Sequence, residues 1–163
     1  MTNGDQGGDT FPIKELVKIR KKESQKAQNY VGIYNSYYLD IKDGFLQNCK
    51  AVRDRILETL DLSQYDHIFV PPVNDQHTDH RETFFILFDM IKKMNKSIKI
   101  YMYEVTVPLT KPQCYTDLCE FFSNKLEAMY VFQSQLKTFD YTALISYLYK
   151  ARGKKEVYQQ VIL

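Results

Sequence analysis

The period of apolar and polar positions changes several times along the chain, and each change outlines an element. Residues 11–30 carry Leu16, Ile19, Glu23 and Ala27 at helical spacing, with Thr10 as a cap and Pro12 suited to the first turn. Residues 33–39 are apolar and aromatic enough for a strand, which the turn Asp40-Ile41-Lys42-Asp43-Gly44 closes. Residues 45–60 return to helical spacing, with Val52, Ile56 and Leu60 on one face. His67-Ile68-Phe69-Val70 is a short strand ended by Pro71 and Pro72. A polar stretch, residues 74–81, leads into residues 82–95, which are apolar over much of a helix's circumference. Such a helix is buried on several sides or covered by a partner. Residues 98–105 alternate as a strand does, and a loop from Pro108 to Pro112 ends them. Residues 123–135 and 141–151 predict two further helices, and Arg152-Gly153 opens a loop. The order of elements predicts an α/β fold: a Rossmann-like, mostly parallel sheet flanked by helices.

Composition narrows the class. At 163 residues the chain is read as a single domain with room for a sizeable core. A net charge of +2 gives no reason to expect nucleic acid as a partner. No apolar run reaches membrane-spanning length and no signal peptide opens the sequence, so a cytoplasmic location away from membranes is expected. Cys49, Cys114 and Cys119 are odd in number and lack a CxxC spacing, which predicts free thiols in a reducing compartment. The 13 tyrosines predict core and rim packing, with a few rings suited to line a sugar site.

The chemistry concentrates in Asn74-Asp75-Gln76-His77-Thr78-Asp79-His80-Arg81. Polar loops at the carboxyl ends of strands are where open α/β sheets bind ligands. If a helix begins near Thr78, His77 and His80 lie three residues apart and share a face. Neutral imidazole is a common metal ligand, and Asp79 is placed to orient a ring. Two histidines are too few for a catalytic zinc, which takes three protein ligands, and His67 lies at the far end of its strand. The alternative is a helix-capping loop in which Asp75 or Thr78 satisfies backbone donors.

Pro-Pro followed by His-x-Asp-His-Arg resembles a motif of the PIG-L/LmbE-like zinc-dependent N-deacetylases, and further pieces follow in the family's order. Thr2-Asn3-Gly4-Asp5-Gln6-Gly7 is similar to the family's glycine loop, placing Asn3, Gly4 and Asp5 near a site. Arg20, Glu23, Ala27 and Gly32 match its Arg-x-x-Glu helix, and Asp43-Gly44 its Asp-Gly turn. Lys125 and Ala128, the Ser134-Gln135 pair, and Glu156-Val157-Tyr158 match the later segments. The resemblance implies hydrolysis of the acetyl amide of an N-acetylated amino sugar or glycoconjugate. It implies that His80 binds zinc and that His77 stabilises the oxyanion or protonates the leaving amine. Asp79 would support the histidine pair, while Arg20 and Asp43 hold the substrate.

The family's His-Pro-Asp-Asp-Glu motif, which carries two zinc ligands and the proposed base, does not occur in the sequence. The expected fold is therefore one without its N-terminal strand–helix unit, with zinc held weakly and the chain inactive alone. Unpaired strand edges would then favour an oligomer or a complementing chain. A fragment of a full enzyme, a remnant without catalysis and a half completed by another polypeptide all meet that expectation. The competing function is a non-catalytic sugar-binding or interaction module on the same fold.

Overall fold

Proline and glycine set many of the element boundaries. Helix α1 (Ile13–Val31) starts after Pro12 and stops where Gly32 takes a left-handed φ of 68°, its N–H closing on the Gln28 carbonyl. Strand β1 (His67–Val70) stops at Pro71, which has no N–H to donate to a ladder. The computed structural model describes residues 1–6, 11–105 and 107–161. They form two units: Met1–Thr2, Leu39–Tyr115 and Val157–Leu163 make the first, Asn3–Tyr38 and Thr116–Glu156 the second.

The first unit holds α2 (Lys50–Thr59), β1, α3 (Thr78–Ile91) and β2 (Lys99–Tyr103). Strands β1 and β2 run parallel, with Val70 opposite Met102. Strand β4 (Lys155–Val161) starts in the second unit, enters the first and pairs antiparallel with β2, Tyr158 facing Tyr103. With β3 (Cys114–Asp117) the sheet order is β1-β2-β4-β3. The α/β class is as expected, and the sheet among the described residues is mixed. Alternation sends Ile100 and Met102 of β2 into a core shared with Val70, Ile56 and Leu46. Helix α3 adds Phe84, Ile86, Leu87, Met90 and Ile91. The expectation of a helix buried on several sides holds, apart from the exposed Phe85.

The second unit is helical. It contains α1, α4 (Phe122–Tyr130), α5 (Gln133–Leu136) and α6 (Tyr141–Ala151). Helix α1 packs on α4 and α5, and α4 packs on α6. Leu16 and Ala27 are its buried α1 positions and Ala128 that of α4.

Four expectations are corrected here. Residues 33–39 are not a strand. Tyr38 instead turns to α1, its hydroxyl donating to Ser24 Oγ and accepting from Gln28 Nε2, both at 3.2 Å. The helix expected from residue 45 begins only at Lys50. Carboxylates from α3 take the backbone donors of the preceding stretch: Leu46 N–H goes to Asp79 and Asn48 N–H to Glu82. The helix expected over 123–135 breaks after Tyr130, because Glu23 accepts from both the N–H (2.8 Å) and the hydroxyl (2.6 Å) of Ser134 and so caps a new turn. Lastly, β4 occupies a segment expected to be part of the loop that Arg152-Gly153 opens, and β3 falls where the sequence pattern assigns no element. Their residues are largely polar and only partly buried, so little apolar alternation announces them. Thr10 lies outside the described residues, and α1 begins without a side-chain cap.

Candidate functional site

The loop between β1 and α3 is built by its own side chains. The Asp75 N–H donates to the Pro72 carbonyl at 3.1 Å, starting a turn. The Asp75 carboxylate then accepts the His77 N–H at 2.8 Å. Arg81 reaches back from α3 and donates to the carbonyls of Asp75 (2.7 Å) and Gln76 (2.9 Å). His77 is the N-cap of α3: its Nδ1 accepts the Asp79 N–H at 3.2 Å. A nitrogen that accepts cannot carry the proton, so neutral His77 carries it on Nε2. The His77 and His80 rings lie 4.9 Å apart at a tilt of 32°.

The Asp79 carboxylate ties a second loop to the head of α3. It accepts the N–H of Gly44 at 2.7 Å and of Leu46 at 3.3 Å. That brings the predicted Asp43-Gly44 turn, closed by Phe45 N–H on the Lys42 carbonyl, to the histidines. Asp43 Oδ1 stands 3.9 Å from His77 Nε2. Gly44 makes the turn with φ at 81°, a conformation in which a side chain is strained. The structure thus brings together Asp43, His77, Asp79 and His80 within the first unit.

Burial raises the Asp43 pKa above its ordinary value, the neighbouring Asp79 carboxylate adds to this, and His77 opposes it. Ionised Asp43 therefore costs the fold stability above its folded pKa, a cost that vanishes as pH falls below the unfolded value of 3.8. Asp43→Asn is expected to raise the melting temperature at neutral pH and to lose that gain in acid. Thermal melts across pH check this; an equal gain at every pH would refute it. Tyr103 is also raised, by burial and then by Asp75, and stays a neutral phenol.

The remaining expected site residues belong to the second unit. Asn3 Oδ1 accepts the Asp5 N–H at 3.2 Å, and Gly4 sits at a φ of 65°. A Cβ at Gly4 would lie 3.1 Å from Arg20 Cδ. Arg20 donates to the carbonyls of Gly4 (2.5 Å) and Gln6 (2.6 Å), so the guanidinium holds the glycine loop. Gly7, with which the loop motif ends, lies outside the described residues. Lys125 and Glu156, matched separately in the sequence, form an ion pair.

One residue was read too narrowly. Asp75 does satisfy a backbone donor, but its Oδ1 also lies 3.1 Å from His80 Nδ1. The signal was its place two residues before the first histidine, which turns its carboxylate back over the loop.

The family model for the GlcNAc-PI de-N-acetylase, PIG-L, matches residues 1–91, more than half of the chain. The chain belongs to the PIG-L family. No curated protein matches it in sequence. Among solved structures, N,N'-diacetylchitobiose deacetylase from Pyrococcus horikoshii, complexed with its inhibitor MPG, superposes with a TM-score of 0.81 at 22% identity. The match covers 99% of this chain and 70% of that one. The conserved protein TT1542 from Thermus thermophilus gives 0.78 at 18% identity, over 99% and 79% of the two chains. GalB, the 4-carboxy-2-hydroxymuconate hydratase from Pseudomonas putida, gives 0.64 at 14%, over 98% and 81%. These likenesses show a deacetylase-like fold. Among the described residues no helix of this PIG-L chain is long and apolar enough to cross a membrane.

Among the described residues one group of three donors lies close enough together to be weighed for a metal. Asp43, His77 and Asp79 each offer an atom within 4.8 Å of the others. In that group the His77 cap leaves a proton, not a lone pair, on Nε2, and both Asp79 oxygens already accept backbone N–H bonds. His80 is the better fit. Its Nδ1 is buried beside the Asp75 carboxylate, so its lone pair is available at Nε2.

Proposed function

We propose that this PIG-L chain carries the His-x-Asp-His part of a zinc-dependent N-deacetylase site, acting on the acetyl amide of an N-acetylated amino sugar or its conjugate. The observation that supports this most is the division between two adjacent rings at the head of α3. His77 is fixed as a donor by its cap, and His80 is backed by a buried carboxylate as a ligand. His80 would hold the metal. Zinc, when bound, polarises the amide carbonyl and brings the pKa of its water toward ~7. His77 Nε2–H donates a hydrogen bond to the oxygen as negative charge develops there. Asp79 keeps His77 in place through the helix head, and Asp43 accepts a substrate hydroxyl. Arg20 binds a polar part of the substrate by the family resemblance, besides holding the glycine loop.

A catalytic zinc takes three protein ligands, and His80 is the matched one in these 163 residues. The 163-residue chain alone is therefore expected to hydrolyse N-acetylated amino sugars at background. The test is release of acetate from N-acetylglucosamine conjugates by the purified chain with added zinc, beside the mass and metal content of the protein from its native source. Robust turnover by the pure chain would overturn the one-ligand reading. A native protein with about one zinc per chain that releases acetate would support the deacetylase. A second reading, a non-catalytic sugar-binding module, is favoured by the single matched ligand. It predicts sugar binding with neither zinc nor acetate release in the native protein.

A further inference from the structure

The side chain of Asp75 has no exposed surface, a costly place for a carboxylate unless it serves several donors. Its Oδ1 accepts the His77 N–H at 2.8 Å and lies 3.1 Å from His80 Nδ1. The backbone of the same residue is pinned at both ends, by the Pro72 carbonyl and by Arg81. The carboxylate is thus fixed by the loop before it meets the ring. His80 Nδ1 is buried and meets no hydrogen-bond criterion as placed, although the Asp75 oxygen lies 3.1 Å from it. The His80 side chain is 32% exposed although Nδ1 is not, so the accessible edge is the other side of the ring.

We propose that Asp75 is a positioning residue that holds His80 in the Nδ1–H tautomer, turning a lone pair on Nε2 outward for a metal. The part about metal rests on the function proposed above; the part about the tautomer does not. With the proton on Nε2 instead, the lone pair of Nδ1 would face the Asp75 oxygen, two acceptors 3.1 Å apart in a buried place. That arrangement is disfavoured without any change in the charge of either group. The two rings therefore take opposite tautomers. His77 carries its proton on Nε2 because the Asp79 N–H occupies Nδ1, and His80 carries it on Nδ1 because of Asp75. One carboxylate oxygen organises both, through the backbone of the first and the ring of the second.

The test is a long-range 1H–15N correlation spectrum of the full chain labelled on histidine, assigned with His80→Gln and His77→Gln. Neutral His80 is expected to be protonated on Nδ1 and His77 on Nε2. Finding His80 protonated on Nε2 in the unsubstituted chain would overturn the proposal, whatever any variant does. Asp75→Ala removes the oxygen that faces Nδ1, so the His80 proton is expected to move toward Nε2. An unmoved proton in folded Asp75→Ala would also overturn it. Zinc alone is then titrated while the His80 Nε2 signal is followed. Asp75→Ala is expected to weaken binding by about 10–100-fold, the usual effect of removing a partner behind a ligating histidine. Equal affinity in the two folded proteins would sink the proposal. A chain that shows the expected tautomers and binds no zinc at His80 would uphold the positioning role and remove the metal reading.

Discussion

Asp79→Ala is expected to destabilise the first unit by about 3 kcal/mol, on the usual scale for charge-assisted bonds lost from buried donors. The carboxylate is 3% exposed and accepts two backbone N–H groups, from Gly44 and Leu46, that lie more than thirty residues away in sequence. Alanine leaves the Leu46 N–H in the core with no acceptor, since Leu46 is itself 1% exposed. It also removes a negative charge from the first turn of α3, where the helix N-terminus favours one. Asp79→Asn keeps an amide oxygen able to accept and should lose less. Urea unfolding followed by circular dichroism measures both. A loss below about 1 kcal/mol for the alanine variant would mean that water replaces the carboxylate and that the tie between the two loops is weak.

Ile86→Ala should cost about as much, roughly 3–4 kcal/mol, for a different reason. Ile86 is 0% exposed and sits in the cluster with Val70, Ile100 and Met102, so truncation leaves a cavity that the sheet cannot close. The adjacent Phe85 is the control. It is 42% exposed and meets Phe84 edge to face at 5.4 Å, so Phe85→Ala removes a larger ring at a smaller cost. Both variants gain the same helix-favouring alanine. A denaturant midpoint lowered more by Phe85→Ala than by Ile86→Ala would reverse the assignment of the buried face.

The head of α3 was legible because three signals agreed. A proline pair ended the strand, a polar loop followed, and His77 stood where a cap belongs. The apolar residues from Phe84 to Ile91 were legible for the same reason, since helical spacing and burial coincide. Residues 45–49 were misread because the helical spacing of Val52, Ile56 and Leu60 was extended back over them, whereas Asp79 and Glu82 take the N–H groups of Leu46 and Asn48. Those acceptors lie far along the chain, and no local pattern reports them. Strands β3 and β4 were missed because few of their side chains alternate between core and solvent. Within the site, identities were readable and partners were not. His77 and His80 stood out, whereas the meeting of Asp75 Oδ1 with the second ring depends on a turn that reverses the loop.

The bonds at the head of α3 also bear on how such a chain could change over generations. Asp75, His77 and Asp79 hold the loop, the cap and the second loop through the same atoms that would prepare the chemistry. A lineage that ceased to hydrolyse amides would still be under pressure to keep all three, because losing any of them weakens the folded chain. Survival of a His-x-Asp-His signature in a genome is then a record of foldability before it is a record of turnover. The side chain freest to drift is the outward edge of His80, which carries none of those bonds. Relatives that differ there while retaining the rest would be the ones to assay first for lost catalysis.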